Sequence, residues 1–447
     1  MAREYDLVVI GTGTSGSIVA FESACAGLSV AIADRRPFGG TCAMRGCIPK
    51  KVLAGAAEIV ERCRGMRGRG VSGDTGIHWT DLMNFKRTFT DPVPGNKETA
   101  FLDAGIDIFH GHARFTGRNT VSIGDDELAA SAIVIATGAE PRPLNVPGEE
   151  HLTTSDRFLE TDTLPERIVF IGGGYISFEF AHIAARAGAG VAILQRSGRL
   201  LGKFDPDLVD MLVQASDDAG IRVYRNMPVR SIESGADAFI VRAGKDDVEV
   251  FEADMVVHGA GRVPAIERLD LERAGIETDP GGIAVNEYLQ SVSNPSVYVV
   301  GDANPRGIQL SPVADGDAEA VAINIVEGNI AKPDYSVVPS VVFTIPTIAS
   351  VGLTEERAKE RGLRYVLHTG DASNWLSAQR IGLNYAGYKI LVDPETDRIL
   401  GAHLLGDNAG EFINLFALAI KTGITTADLK SMIWAYPTTI SDIRYML

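Results

Sequence analysis

Leu7-Val8-Val9-Ile10-Gly11-Thr12-Gly13-Thr14-Ser15-Gly16 is the stretch that decides the fold. Four consecutive apolar residues read as a short buried strand, and the glycines that follow mark a tight turn. A helix over Ser17 to about Ala26 ends at Gly27, and Val30-Ala31-Ile32-Ala33 is the next strand, closed by Asp34. This order is that of a βαβ unit that holds a dinucleotide. Glycines let backbone N–H groups approach a pyrophosphate at the helix N-terminus, and an acid after the second strand holds a ribose hydroxyl. A lone GxGxxG is often only a glycine-rich turn. Here strand, spacing, helix and acid agree, which assigns Gly11, Gly13, Thr14, Ser15, Gly16 and Asp34 to a nucleotide site.

A second copy begins at Arg167. Ile168-Val169-Phe170-Ile171 leads into Gly172-Gly173-Gly174-Tyr175-Ile176-Ser177, then a helix through Glu179 and Ala187 and the strand Val191-Ala192-Ile193-Leu194. Two such folds imply two dinucleotides and electron transfer between them, unless the second is a degenerate duplicate that binds nothing. The acid expected after its second strand is replaced by Gln195-Arg196-Ser197, with Arg199 and Lys203 close behind. A carboxylate suits the 2′-hydroxyl of NADH, and arginines suit the 2′-phosphate of NADPH. This points to NADPH at Gln195, Arg196 and Arg199; the plainer reading is a solvated basic turn.

The chain has 447 residues, 45% of them hydrophobic and 22% charged, the balance of an ordinary globular protein with material for about three domains. Its formal charge of −16 disfavours nucleic acid and anionic membranes as partners. No apolar run approaches the roughly 20 residues of a membrane span, and the acidic N-terminus does not read as a secretion signal. Four cysteines do not make a disulfide scaffold, so a reducing cytoplasm is expected. Ser131 to Gly138 reads as a strand ending in a glycine turn, Pro141, Pro143 and Pro147 as a linker, and Pro333 to Pro339 as a further boundary. His110 and His112 invite a shared strand face, but no neighbouring ligands suggest a metal.

Gly39-Gly40-Thr41-Cys42-Ala43-Met44-Arg45-Gly46-Cys47-Ile48-Pro49-Lys50 is the most informative stretch for chemistry. Residues five apart in an ideal helix have Cα atoms about 8.6 Å apart. A disulfide needs less than about 7 Å, so oxidation demands a distorted turn, which Gly46 and Pro49 permit. A redox pair is the first reading; structural zinc would want a second ligand pair that the sequence does not offer, and inert cysteines are the third. Cys25 and Cys63 read as structural.

With GGTC-x₄-CIPK, the first GxGxxG, ATG, GGGYISFE, GAGRVP, GDA and the segment from Pro339 to Glu355, the chain resembles the flavin-dependent pyridine nucleotide-disulfide oxidoreductases over nearly its whole length. That family includes glutathione reductase, dihydrolipoamide dehydrogenase and mercuric reductase. The resemblance implies an α/β fold with two Rossmann-like domains, for FAD and NADPH, and a C-terminal α+β dimerisation domain. It implies an FAD-binding domain in two parts, 1–147 and 265–335, an NAD(P)H-binding domain at 148–264 and an interface domain at 336–447. It adds Gly40, Thr41, Thr137, Gly138, Gly261, Arg262, Gly301 and Asp302 to the cofactor residues, with Asp302 on the ribityl chain. Cys42 resembles the thiol that attacks a substrate disulfide and Cys47 the thiol beside the flavin. Lys50 and Glu179 match an ion pair near the flavin, Gly172, Gly174 and Ile176 the nicotinamide-nucleotide loop, and Tyr175 a gate over the flavin. Taken alone, the pair reads as a fold-stabilising salt bridge, Tyr175 as a packed aromatic and Asp302 as a strand-end turn.

The sequence departs from the family at two places. Family disulfide reductases close with His-Pro-Thr and a Glu five residues after the His; here Tyr436-Pro437-Thr438 stands there, and the carboxylate, Asp442, lies six residues along. A phenol is a poor base at neutral pH, though it can donate a proton or orient a group across the dimer. Mercuric reductases end in a cysteine pair, whereas this chain ends Arg444-Tyr445-Met446-Leu447, which argues against mercury. The arginines that clamp glutathione align with Glu22 and Glu319, near Asp315 and Asp317; either these acids are solvated surface groups or they repel anionic substrates. The sequence therefore reads as a homodimeric reductase of a small, neutral or cationic disulfide. Its rivals are a reductase of a quinone or other acceptor, and a noncatalytic redox-sensing flavoprotein.

Overall fold

The structure, a computed structural model, describes residues 2–447. The chain forms two compact units: Met1–Pro49, Phe85–Arg142 and Arg262–Tyr335 make the first, and Lys50–Asn84, Pro143–Gly261 and Ser336–Leu447 the second.

In the first unit, strand β1 (Arg3–Ile10) leads into helix α1 (Thr14–Cys25) and strand β2 (Val30–Asp34). β1 and β2 run parallel with Val9 opposite Ile32. Leu7, Val8 and Val9 are fully buried, as a strand covered on both faces requires, and this explains the unbroken apolar run. The helix begins three residues before the expected Ser17 because Gly13, in extended backbone, serves as its N-cap. Thr14, Ser15 and Gly16 thus form the first turn. A Cβ on Gly16 would lie 2.0 Å from the Gly11 carbonyl oxygen, so only glycine lets the helix start so close to the strand. Helices α2 (Gly40–Arg45) and α3 (Cys47–Gly65) follow, and the boundary between the units falls inside α3, after Pro49.

The first sheet is extended by β3 (Asp107–His110), β4 (Ala113–Gly117), β5 (Thr120–Ile123) and β6 (Asp126–Ile135), in the order β3-β2-β1-β6-β5-β4. β6 starts at Asp126 and stops at Ile135, so Ser131 to Gly138 is half strand and half turn. His110 ends β3 while His112 lies in the turn before β4, so the two share no strand face. The His110 ring packs on Phe38 instead, with centroids 4.6 Å apart.

The second unit repeats the motif. β7 (Arg167–Ile171), α4 (Tyr175–Arg186), β8 (Gly190–Leu194), β9 (Ile221–Tyr224) and β10 (Met255–His258) build a parallel sheet ordered β9-β8-β7-β10. The proline run expected as a linker begins as a strand: Ala139–Pro141 pairs antiparallel with Arg262–Pro264, where the chain leaves and re-enters the first unit. There β11 (Val297–Val299) joins β6 in parallel, and α5 (Ser311–Glu327) packs on α1. The C-terminal part of the second unit is an antiparallel sheet of β12 (Ser340–Val342), β13 (Thr347–Gly352), β14 (Val366–Asp371), β15 (Gly387–Val392) and β16 (Ile399–Gly406), ordered β12-β13-β16-β15-β14. Helix α6 (Ala409–Thr422) buries Phe412, Ile413 and Phe416 among the sheet residues. The expected class therefore holds: two Rossmann-like folds and a C-terminal α+β part.

Gly11 has φ +116°, and a Cβ there would sit 2.2 Å from the Ala136 carbonyl oxygen. Gly11→Ala is expected to cost about 2 kcal/mol or more of stability. Urea unfolding followed by circular dichroism measures this, and an unchanged midpoint would contradict the packing described.

Candidate active site

The geometry of the thiols follows from a broken helix. α2 ends at Arg45, Gly46 leaves helical backbone at φ −148° and ψ −111°, and α3 begins at Cys47. At the other end, a Cβ on Gly40 would meet the Gly13 Cα at 2.3 Å, so the start of α2 is seated directly on the nucleotide loop. Cys42 is half-buried and Cys47 exposed, both are free thiols, and Cys47 bears on the ionisation of Cys42. Ser311, the first residue of α5, places its Oγ 3.3 Å from Cys47 Sγ. The hydrogen bond with Cys47 and burial push the Cys42 thiol well above its ordinary range; Ser311 opposes this, and the charge of Asp315 adds to it.

The other nucleotide residues of the first unit cluster around this point. Thr12 donates its N–H and O–H to Asp34 Oδ2 at 2.9 and 2.7 Å, and the Arg36 N–H donates to Oδ1 at 2.9 Å. Asp34 is thus held at the turn, beside the N-terminus of α1, which no side chain caps. A Cβ on Gly301 would strike Ser15 Oγ at 2.4 Å, which brings the two separated halves of the nucleotide site together. Burial pushes the Asp302 carboxyl up, while Arg262, whose guanidinium donates to the Ala139 carbonyl, pulls it down. At the turn after β6, Thr137 Oγ1 is buried without a hydrogen-bond partner. An uncapped helix start, a placed carboxylate and an orphaned buried hydroxyl along one edge of the sheet fit FAD with these residues around it.

In the second unit α4 also begins without a side-chain cap, at Gly174. Gln195 occupies the place of the missing acid: its Oε1 accepts the Gly173 N–H at 3.0 Å, and its Nε2 donates to Ser197 Oγ and to the Arg199 carbonyl. The Arg199 guanidinium forms a fork with Glu356, both contacts at 2.8 Å, while Arg196 is exposed. Lys50 Nζ lies 2.7 Å from Glu179 Oε1, with side chains only 11% and 4% exposed. Glu179 also accepts the Phe343 N–H at 2.9 Å, and Lys50 Nζ stands 4.0 Å from the centre of the Phe343 ring. Tyr175, at the start of α4, is 46% exposed, and Ile176 is half-buried. Tyr436 is 72% exposed, whereas Asp442 is buried, and burial pushes its carboxyl up while Ser377 pulls it down.

Ser311 and Phe343 were not singled out from sequence, and Asp315 only as a neighbour of Glu319. The available signal was Pro312, which stands in the first turn of a helix and so announces where that helix starts. Among the described residues no group of three or more His, Cys, Asp or Glu is placed to hold a metal ion, and no helix is long and apolar enough to cross a membrane.

Residues 5–318 match the pyridine nucleotide-disulphide oxidoreductase family, and residues 338–446 match its dimerisation domain. A glutathione reductase of Burkholderia cepacia is 35% identical over 438 residues, covering 97% of this chain and 96% of the relative. A mercuric reductase of Lysinibacillus sphaericus is 32% identical over 450 residues, covering 98% and 81%. Among solved structures, the HOCl-induced flavoprotein disulfide reductase RclA from Escherichia coli superposes with a TM-score of 0.89 at 26% identity, covering 99% of each chain. A Cu(II) complex of the same protein superposes with a TM-score of 0.90 at 27% identity, covering 100% of this chain and 99% of that one. The paired thiols, the two nucleotide folds and these matches together make the chain a member of the pyridine nucleotide-disulphide oxidoreductases, a family of FAD-dependent flavoproteins that use a pyridine nucleotide.

Proposed function

We propose that this chain is an NADPH-dependent reductase of small neutral or cationic disulfides, acting through FAD and Cys42–Cys47 as a homodimer in the cytoplasm. The observation that carries this reading is the helix break at Gly46 between the two free thiols, with the Ser311 hydroxyl 3.3 Å from Cys47 Sγ. The parts follow the division 1–147 and 265–335 for FAD, 148–264 for NADPH and 336–447 for dimerisation.

Bound FAD would supply a two-electron relay between the nicotinamide and the Cys42–Cys47 disulfide. Asp34 and the N-terminus of α1 would hold its ribose and pyrophosphate, and Asp302 its ribityl chain. Gly172, Gly174 and the start of α4 bind the nicotinamide nucleotide's pyrophosphate. With Arg199 engaged by Glu356, Arg196 carries the recognition of the 2′-phosphate. Lys50, fixed by Glu179, would supply a cation for the flavin, and Tyr175 would gate it. Cys42 then attacks the substrate disulfide, and Cys47 closes on Cys42 to release the second thiol.

The preference for uncharged or positive substrates rests on Glu22, Asp315 and Glu319, which stand on two helices packed together, α1 and α5, with Glu22 and Glu319 exposed. A second reading, delivery of electrons to a quinone or another non-disulfide acceptor, is favoured by one observation. Tyr436 stands where the family has a histidine, and the carboxylate that follows it, Asp442, is buried.

Three outcomes are expected. Cys42→Ser loses at least about 1000-fold in disulfide turnover while NADPH still bleaches the flavin; full turnover of the native acceptor by this variant would decide for the second reading. Arg196→Ala raises KM for NADPH roughly tenfold and leaves NADH unaffected. A diammonium disulfide gives kcat/KM at least about tenfold above oxidised glutathione. Comparable values for the two would refute the assignment of charge selectivity.

A further inference from the structure

The turn after β8 carries its positive charge unevenly. Arg196 and Lys203 are exposed, whereas Arg199 is held against the protein. Its guanidinium donates to both carboxylate oxygens of Glu356 at 2.8 Å and to the Phe204 carbonyl at 3.3 Å. Its own carbonyl accepts from Gln195 Nε2 at 2.8 Å, which fixes the backbone of the turn at the same residue. Glu356 thus grips Arg199 as a two-pronged oxyanion, the geometry in which arginine also takes a phosphate.

A buried cation brings the two residues together across 157 positions of sequence. Glu356 is the second residue of a short helix, Glu355–Glu360, whose start is capped by the Thr354 side chain. Its neighbour Glu355 lies 2.8 Å from Lys389 Nζ, and the same Nζ lies 3.2 Å from Asp205 and 2.6 Å from Asp207, just past the turn. With 3% of its side chain exposed, Lys389 pins the end of the turn to the start of the short helix. The Arg199 and Glu356 side chains themselves keep 37% and 52% of their surface exposed, so a ligand can reach the pair.

We propose that Glu356 is a specificity-determining residue for the nucleotide: its carboxylate holds Arg199 in the place of a 2′-phosphate and so narrows the margin by which NADPH is preferred to NADH. The proposal rests on the reading that this turn meets the 2′ position of the nicotinamide nucleotide. NADPH must either draw Arg199 away from Glu356 or bind beside it against the carboxylate's charge. Both courses cost binding that NADH, without a 2′-phosphate, does not lose. An exposed ion pair adds little to folding, so removing Glu356 is felt chiefly by the ligand that competes with it.

The test is calorimetric titration of the FAD-loaded protein with 2′,5′-ADP, which carries the 2′-phosphate, and with 5′-AMP, which lacks it. Glu356→Gln and Glu356→Ala are each expected to bind 2′,5′-ADP roughly fivefold more tightly than the unaltered protein, with 5′-AMP unmoved and the gain shrinking as salt is raised. KM for NADPH falls in step, and KM for NADH stays where it was. Arg199→Ala in the Glu356→Gln background must remove the gain, because a general loss of negative charge would leave it in place. Absence of a gain in both neutral variants, or a gain that survives Arg199→Ala, overturns the assignment. If the unaltered protein ignores 2′,5′-ADP and the neutral variants bind it, the assignment stands and the NADPH preference fails. If the unaltered protein binds it and the variants bind no better, the preference stands and the assignment fails.

Discussion

Everything chemical in this protein depends on interrupting a helix between two cysteines. Carried through residues 40 to 65, one continuous helix would hold Cys42 and Cys47 about 8.6 Å apart at Cα, out of reach of a shared bond. The break at Gly46 frees Cys47 from that spacing. It also makes Cys47 the first residue of a 19-residue helix, where the backbone N–H groups favour negative charge. The seating of Gly40 on Gly13 fixes the other side, since any side chain at Gly40 would lift α2 off the nucleotide loop. The release of the sulfurs from helical spacing and their place beside the cofactor loop thus share one local cause.

The second unit handles charge differently. Glu179, with 4% of its side chain exposed, is buried deeply enough that its carboxylate would be costly without a cation, and Lys50 at 2.7 Å meets that need. Phe343 contributes twice, through its backbone N–H to Glu179 and its ring face to Lys50. Removing either charge alone would leave the other stranded in a low dielectric, so the pair stands or falls together. The pair is held on three sides, by opposite charge, a backbone N–H and a ring face.

What could be read from sequence was what is local. The strand before Gly11, the glycines and Asp34 are neighbours along the chain, and the physics that joins them acts over a single turn. Gln195 was legible as a missing acid, but its role as acceptor of the Gly173 N–H needed coordinates. Arg199 reads from sequence as a phosphate ligand, but its ion-pair partner, Glu356, lies 157 residues away and leaves no trace near it. Ser311 escaped for the same reason: 264 residues separate it from Cys47. The histidines misled because a turn between β3 and β4 breaks the alternation that would have put them on one face. Pairings across sequence distance are set by how the sheets close, and no spacing rule reports them.

Acidic side chains on α1 and α5 would bear on substrate choice under the proposed reading. Glu22 and Glu319 stand exposed on two helices that pack together, and they would repel anions that approach them. Asp315, on the same helix as Glu319, is less exposed, and burial and the charge of Glu319 raise its carboxyl. A disulfide that brings its own positive charge would meet attraction where an anionic one would meet repulsion, so these acids would sort substrates by charge before any bond is exchanged.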